Sequence, residues 1–179
     1  MKESLGFAVL AFTSLLSIVN PLGAVPIYVA MTSSYDARQR RVTLRRAVMT
    51  GLAVLVAFAA FGPLILRFFG ITTEAFQIAG GIIPLGLPTL VGPGAITTVI
   101  AINAQAKNAF DVASVYLSIV LVLAISGGLL AAAPVVTRRI GSTGMNVMTR
   151  LMGLMVMVVG AQFEINGVSA VARQITGGG

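Results

Sequence analysis

The chain has 179 residues, 57% of them hydrophobic and only 9% charged, with a formal net charge of +7, no cysteine and no histidine. A soluble domain carries about 25% charged residues, so a mean hydropathy of +0.98 marks an integral membrane protein. The lack of thiols and imidazoles, with five carboxylates in all, argues against a disulfide framework, a metal centre or thiol chemistry. The basic residues sit in short loops between apolar runs, which is a topology signal rather than a nucleic-acid surface.

A membrane-spanning helix takes about 20 apolar residues, and the first such run is Leu5 to Met31. It contains "SIVNPLGAVPIY", residues 17–28, which puts a polar Asn20, two prolines and a glycine inside the helix. No clean small-residue cleavage site ends the run, and Asn20-Pro21 and Pro26 are foreign to a signal peptide, so it is read as a retained span. The loop "TSSYDARQRRVTLRR" follows, and its Arg38, Arg40, Arg41, Arg45 and Arg46 assign it to the cytoplasm, with the N-terminus outside. These arginines also suit anionic lipid headgroups.

The second span, Ala47 to Leu66, leads out to Arg67, which snorkels at its end. The next stretch, Ala75 to Ile102, is apolar but studded with glycine and proline. Val112 to Val136 and Val147 to Val168 are two further spans, joined by a loop whose Arg138, Arg139 and Arg150 again belong inside. The C-terminus is then outside. For both basic loops to be inside, Ala75 to Ile102 must begin and end outside, crossing twice or not at all. Two crossings need about 40 residues, and the stretch has 28. Either it is a re-entrant hairpin, or residues of the natural protein are absent from this sequence.

An internal repeat bears on that choice. Pro63, Arg67 and Gly70 map onto Pro134, Arg138 and Gly141 at an offset of 71, and Gly23, Ala24 and Val25 fall on Gly94, Ala95 and Ile96 at the same offset. Pro21 meets Pro93 after a one-residue slip, and "QIAGG" at Gln77 faces "RLMGL" at Arg150. A unit of three spans returns the chain to the opposite side, so the second copy must be inverted, as in many secondary transporters. The expected fold is an all-α membrane protein of two inverted three-helix repeats, residues 1–83 and 84–179, with broken first and fourth helices. In the second copy the helix continues past Gly153, whereas Gly80 is followed almost at once by "PLGLP". A helix end and cytoplasmic loop of roughly 30 to 40 residues are expected to be missing near Gly81 to Pro84.

The two breaks carry the chemistry. A proline within a helix frees carbonyls that find no water in hydrocarbon, so such a break lines a cavity or packs against protein. The breaks are Asn20-Pro21-Leu22-Gly23 and Gly92-Pro93-Gly94, in matching places. A restarting half-helix offers N–H groups to a carboxylate and a stopping one offers carbonyls to an ammonium, so facing breaks suit a zwitterion. The competing reading is a kink where helices pack closely. Asn20, Thr97 and Thr98 are preferred as ligands over Ser17 and Thr13, because hydroxyls in membranes often bond their own helix.

Glu164 is the one carboxylate well inside an apolar segment, either an ion-coupling group or an acid reaching interfacial water. Gln77 and Gln162 suit helix–helix hydrogen bonds, and the stripe Met145, Met148, Met152 and Met155 suits adaptable packing. No nucleophile elbow, phosphate loop or paired carboxylate set is present, so the chain does not read as an enzyme.

The motifs "NPLGAVPIY", "AFQIAGG", "PLGLPTLVGPGAITTVI" and "RLMGLMVMVVGAQFEINGV" together resemble the MarC family of bacterial and archaeal membrane proteins, over nearly the whole chain. The resemblance implies six spans in the inner membrane, two inverted repeats and transport of small neutral amino acids such as glycine and alanine. It places functional positions at Asn20, Pro21, Gly23 and Pro26 in the first break and at Gly92, Pro93, Gly94, Ala95 and Thr97 in the second. Family members normally carry a full third span and a polar loop between "IAGG" and "PLAIP", where this sequence departs. The expected function is a secondary transporter needing no cofactor beyond a coupling proton or sodium ion. Its alternatives are a passive channel and a structural membrane protein. Small residues on several helices fit either internal packing or a homo-oligomer.

Overall fold

The computed structural model describes residues 2–72, 75 and 91–176, and those residues are almost entirely helical. The helices are α1 (Lys2–Val19), α2 (Pro21–Met31), α3 (Ala37–Phe68), α4 (Pro93–Gln105), α5 (Ala109–Ala131) and α6 (Ala133–Thr176), the last interrupted at Gly141. Glu3–Met31, Ala37–Phe68 and Ala109–Ala131 are long and apolar enough to cross a membrane. The fold is thus the all-α membrane protein that composition required. The expected missing segment near Gly81 to Pro84, with Gln77, lies outside the described residues.

Local chemistry fixes most helix ends. Asp36 caps α3 by accepting from Gln39 N–H at 2.7 Å, and the Gln39 side chain accepts from Asp36 N–H at 2.9 Å. This reciprocal box satisfies two donors that a helix start leaves bare. At the other end of α3, Gly70 has φ 63, its N–H donates to Arg67 O, and Ile71 N–H donates to Leu66 O. That pair of bonds needs a left-handed residue, which glycine supplies without strain. Gly141 is the other glycine with positive φ among the described residues, at 73. It is the residue that the sequence offset pairs with Gly70.

The expected span Val112 to Val136 requires correction. Helix α5 ends at Ala131, and the chain restarts as α6 at Ala133. Pro134 has no N–H to give to the carbonyl of Leu130, and its ring opposes a continuous helix. The expected span Leu5 to Met31 is divided at Asn20, where the sequence had placed the break. Ala47 to Leu66 lies within α3, and Val147 to Val168 lies within α6.

Four helices, α1, α3, α4 and α5, share the main core, with Leu15, Leu55, Val99 and Ile119 each 0–1% exposed. Glycines set how closely α3 and α4 approach. A Cβ on Gly62 would lie 2.5 Å from Ile100 Cγ1, and one on Gly51 would lie 2.7 Å from Val91 Cγ2. Because Val91 meets Gly51 and Ile100 meets Gly62, the two helices run parallel. A second cluster joins α2 to the α5–α6 corner through Val25, Leu130 and Ala133. Outward-facing Leu64, Phe68, Leu117 and Val147 are more than half exposed, a surface that lipid covers.

Candidate functional site

The first break turns on one residue. Asn20 adopts φ 45 and ψ 63, a left-handed conformation that asparagine tolerates better than most residues. Its N–H closes α1 by donating to Leu16 O at 3.0 Å, and its Oδ1 accepts from Gly23 N–H at 3.2 Å to open α2. Pro21 occupies the first turn, where its missing N–H costs nothing. A Cβ on Gly23 would fall 2.6 Å from Asn20 Nδ2, so a side chain there must displace the capping amide. Pro21, Gly23 and Pro26 are buried.

The second break differs. Gly92 is extended and precedes Pro93 in the first turn of α4, and no side chain caps that helix. Ala95 N–H and Ile96 N–H donate back to Gly92 O at 3.0 and 3.2 Å. The two breaks are therefore not chemical copies: Asn20 satisfies a donor of the first half-helix, while α4 presents its start without a side-chain cap. Gly92, Pro93 and Gly94 are half-buried, and Ala95 is in the core.

Both breaks lie at similar heights. Tyr28 Oη donates to Arg40 O at 3.2 Å, which fixes one level across the α2–α3 hairpin. Counted at the helical rise, Asn20 is about 12 Å beyond Tyr28, and Gly51, which faces Val91, is about 16 Å beyond Arg40.

A wide-mouthed cleft of about 480 Å³ opens between α1 and α4, lined by Thr13, Ser14, Ser17, Ile18, Thr97, Thr98, Ala101 and Ile102. It lies one turn from each break, on the α1 side of Asn20 and the α4 side of Gly94. The break residues themselves do not line it. Of the sequence candidates it brings together Thr97 and Thr98, with Ser17 and Thr13 from the less favoured set. Glu164, half-buried on α6, is not among its lining residues.

The hydroxyls divide into two groups. Thr13 Oγ1 donates to Val9 O at 2.8 Å and Thr97 Oγ1 donates to Gly94 O at 3.0 Å, the usual self-bonding of hydroxyls in apolar helices. Ser114, Ser118 and Ser126 do the same elsewhere. Ser14, Ser17 and Thr98 have no protein partner among the described residues. Three uncommitted hydroxyls thus face one space. Sequence reasoning had passed over Ser14, although its spacing of three from Ser17 puts both on one face of α1.

A sequence model described as "MarC family integral membrane protein" matches residues 5–83 and 82–172. A "UPF0056 membrane protein" of Methanocaldococcus jannaschii is 36% identical over 198 residues, covering 92% of this chain and 97% of the relative. A second from that organism is 28% identical over 209 residues, covering 97% of this chain and 92% of the relative. Another such protein of Escherichia coli is 29% identical over 195 residues, 89% of this chain and 91% of its own length. An alignment of 209 positions with a chain of 179 residues leaves at least 30 positions of that relative without a counterpart here. No solved structure matches. A family match that runs from residue 5 to residue 172, on helices able to span a bilayer, establishes that the chain belongs to the MarC family of integral membrane proteins.

Proposed function

We propose that the protein is a secondary transporter of small neutral amino acids, glycine and alanine first among them, in the cytoplasmic (inner) membrane with both termini outside. The observation that carries this reading is the cleft, where the uncommitted hydroxyls of Ser14, Ser17 and Thr98 face an uncharged space one turn from both helix breaks. Among the described residues no charged side chain lines the cleft, so a ligand with net charge would sit uncompensated in a low dielectric, whereas a zwitterion brings its own balance. The uncapped start of α4 attracts the carboxylate and the end of α1 attracts the ammonium. Ile18, Ala101 and Ile102 supply an apolar wall for a methyl group.

The carrier mechanism follows from pseudo-symmetry. Exchange of the two repeats turns the α2–α5 packing into α4–α3 packing, and both pairs are in contact. The Gly62–Ile100 approach becomes Ala133–Val29, and those two residues share the second cluster. Two related units around one site supply the two arrangements that alternating access needs. The positions that relatives carry in excess supply the missing end of the third span in this reading, where the two family matches meet at 82–83.

The test is a binding panel of labelled glycine, alanine, serine and leucine on the purified chain, with and without sodium. Glycine and alanine should bind saturably and leucine should not. Absence of binding by any of the four would overturn the proposal.

A further inference from the structure

A buried charge in a protein is paired or coordinates a metal, and Asp111, in the first turn of α5, is only 4% exposed. Its Oδ2 accepts from Lys107 N–H and from Asn108 Nδ2, each at 3.1 Å. Two N–H donors on one oxygen suit the ionised carboxylate. The other oxygen, Oδ1, is buried and meets no donor among the described residues.

Asn103 Oδ1 is in the same position, and its orientation is fixed because Nδ2 donates to Ala59 O at 2.8 Å. These are the two unsatisfied buried side-chain atoms among the described residues. Both belong to one junction: Asn103 is in the last turn of α4, Asp111 is in the first turn of α5, and Ala106, Lys107 and Asn108 connect them. The end of α4 adds the negative pole of a helix and carbonyls without helical partners. Lys107 reaches Asp111 through its backbone N–H, and Asp111 forms no ion pair among the described residues.

We infer that the α4–α5 junction binds a monovalent metal cation of the sodium type through Asp111 Oδ1 and Asn103 Oδ1, with terminal carbonyls of α4 as further donors. Hard oxygen donors favour such an ion, and one carboxylate balances one positive charge. The ion sits at the outer end of the helix that lines the cleft, so its binding is coupled to the position of Thr98. As a coupling site this rests on the transport reading; as a binding site it does not.

The experiment is thermal unfolding of the purified full chain in detergent at fixed pH, in sodium chloride against choline chloride of equal ionic strength. A cation bound only by the folded form raises the midpoint with concentration. The wild-type midpoint should rise with sodium and saturate, Asp111→Asn should abolish the response, and Asn103→Ala should shift it to at least tenfold higher sodium. Should Asp111→Asn fail to fold, the Asn103→Ala shift decides. A wild type indifferent to the choice of cation overturns the inference, as does an unchanged response in the variants. Stabilisation by acid alone, without sodium, assigns the junction to a proton and overturns it too. A chain that binds sodium through Asp111 but no amino acid sustains this site and sinks the transport reading.

Discussion

Asn20 shows how one residue carries several structural duties. It supplies the left-handed turn, closes α1 with its N–H and caps α2 with its side chain. Asn20→Ala should cost about 1–2 kcal/mol of stability, the loss of a cap plus a strained φ. Gly23→Ala should cost a similar amount, because the new methyl displaces the Asn20 amide. Thermal unfolding of the double variant should show less than the sum, since both substitutions break one bond. Ser17→Ala and Thr98→Val remove cleft hydroxyls that have no protein partner among the described residues. Each should leave stability unchanged and weaken glycine binding roughly three- to tenfold, one hydrogen bond's worth, measurable by equilibrium binding. Asn20 and Thr98 were legible in the sequence as polar groups in apolar runs. Ser14 and Asp111 were not, because burial and hydrogen-bond state depend on which helix packs beside them.

At the scale of elements, helix identity followed from apolar length and from caps written in the sequence, such as Asp36 with Gln39. The α5–α6 boundary did not, because hydropathy runs unbroken through Ala131 to Val136 and only Pro134 signals the restart. The glycines of α3 were likewise silent until α4 was placed against them. Gly62→Ala should destabilise the protein by about 1–3 kcal/mol through overpacking, with partial rescue by Ile100→Val. Gly128→Ala, where a Cβ meets nothing within 4 Å, should be neutral in the same unfolding assay.

For the whole molecule, the topology proposed from the charge distribution is open to labelling, because the sequence has no cysteine of its own. A single cysteine at Ser33 should react with membrane-impermeant maleimide only after the inner face is exposed, and one at Gly70 should react in intact cells. The opposite pattern would invert the assignment. The expected repeat rests on a constant offset in the sequence, and the two glycines of positive φ among the described residues, Gly70 and Gly141, are an offset pair. Counterflow in proteoliposomes separates a carrier built around the hydroxyl-lined cleft from a passive pore. Vesicles preloaded with unlabelled glycine should accumulate labelled glycine transiently above equilibrium, and Thr98→Val should reduce the overshoot. Labelled uptake that rises monotonically, indifferent to glycine inside, would describe a pore and contradict the account.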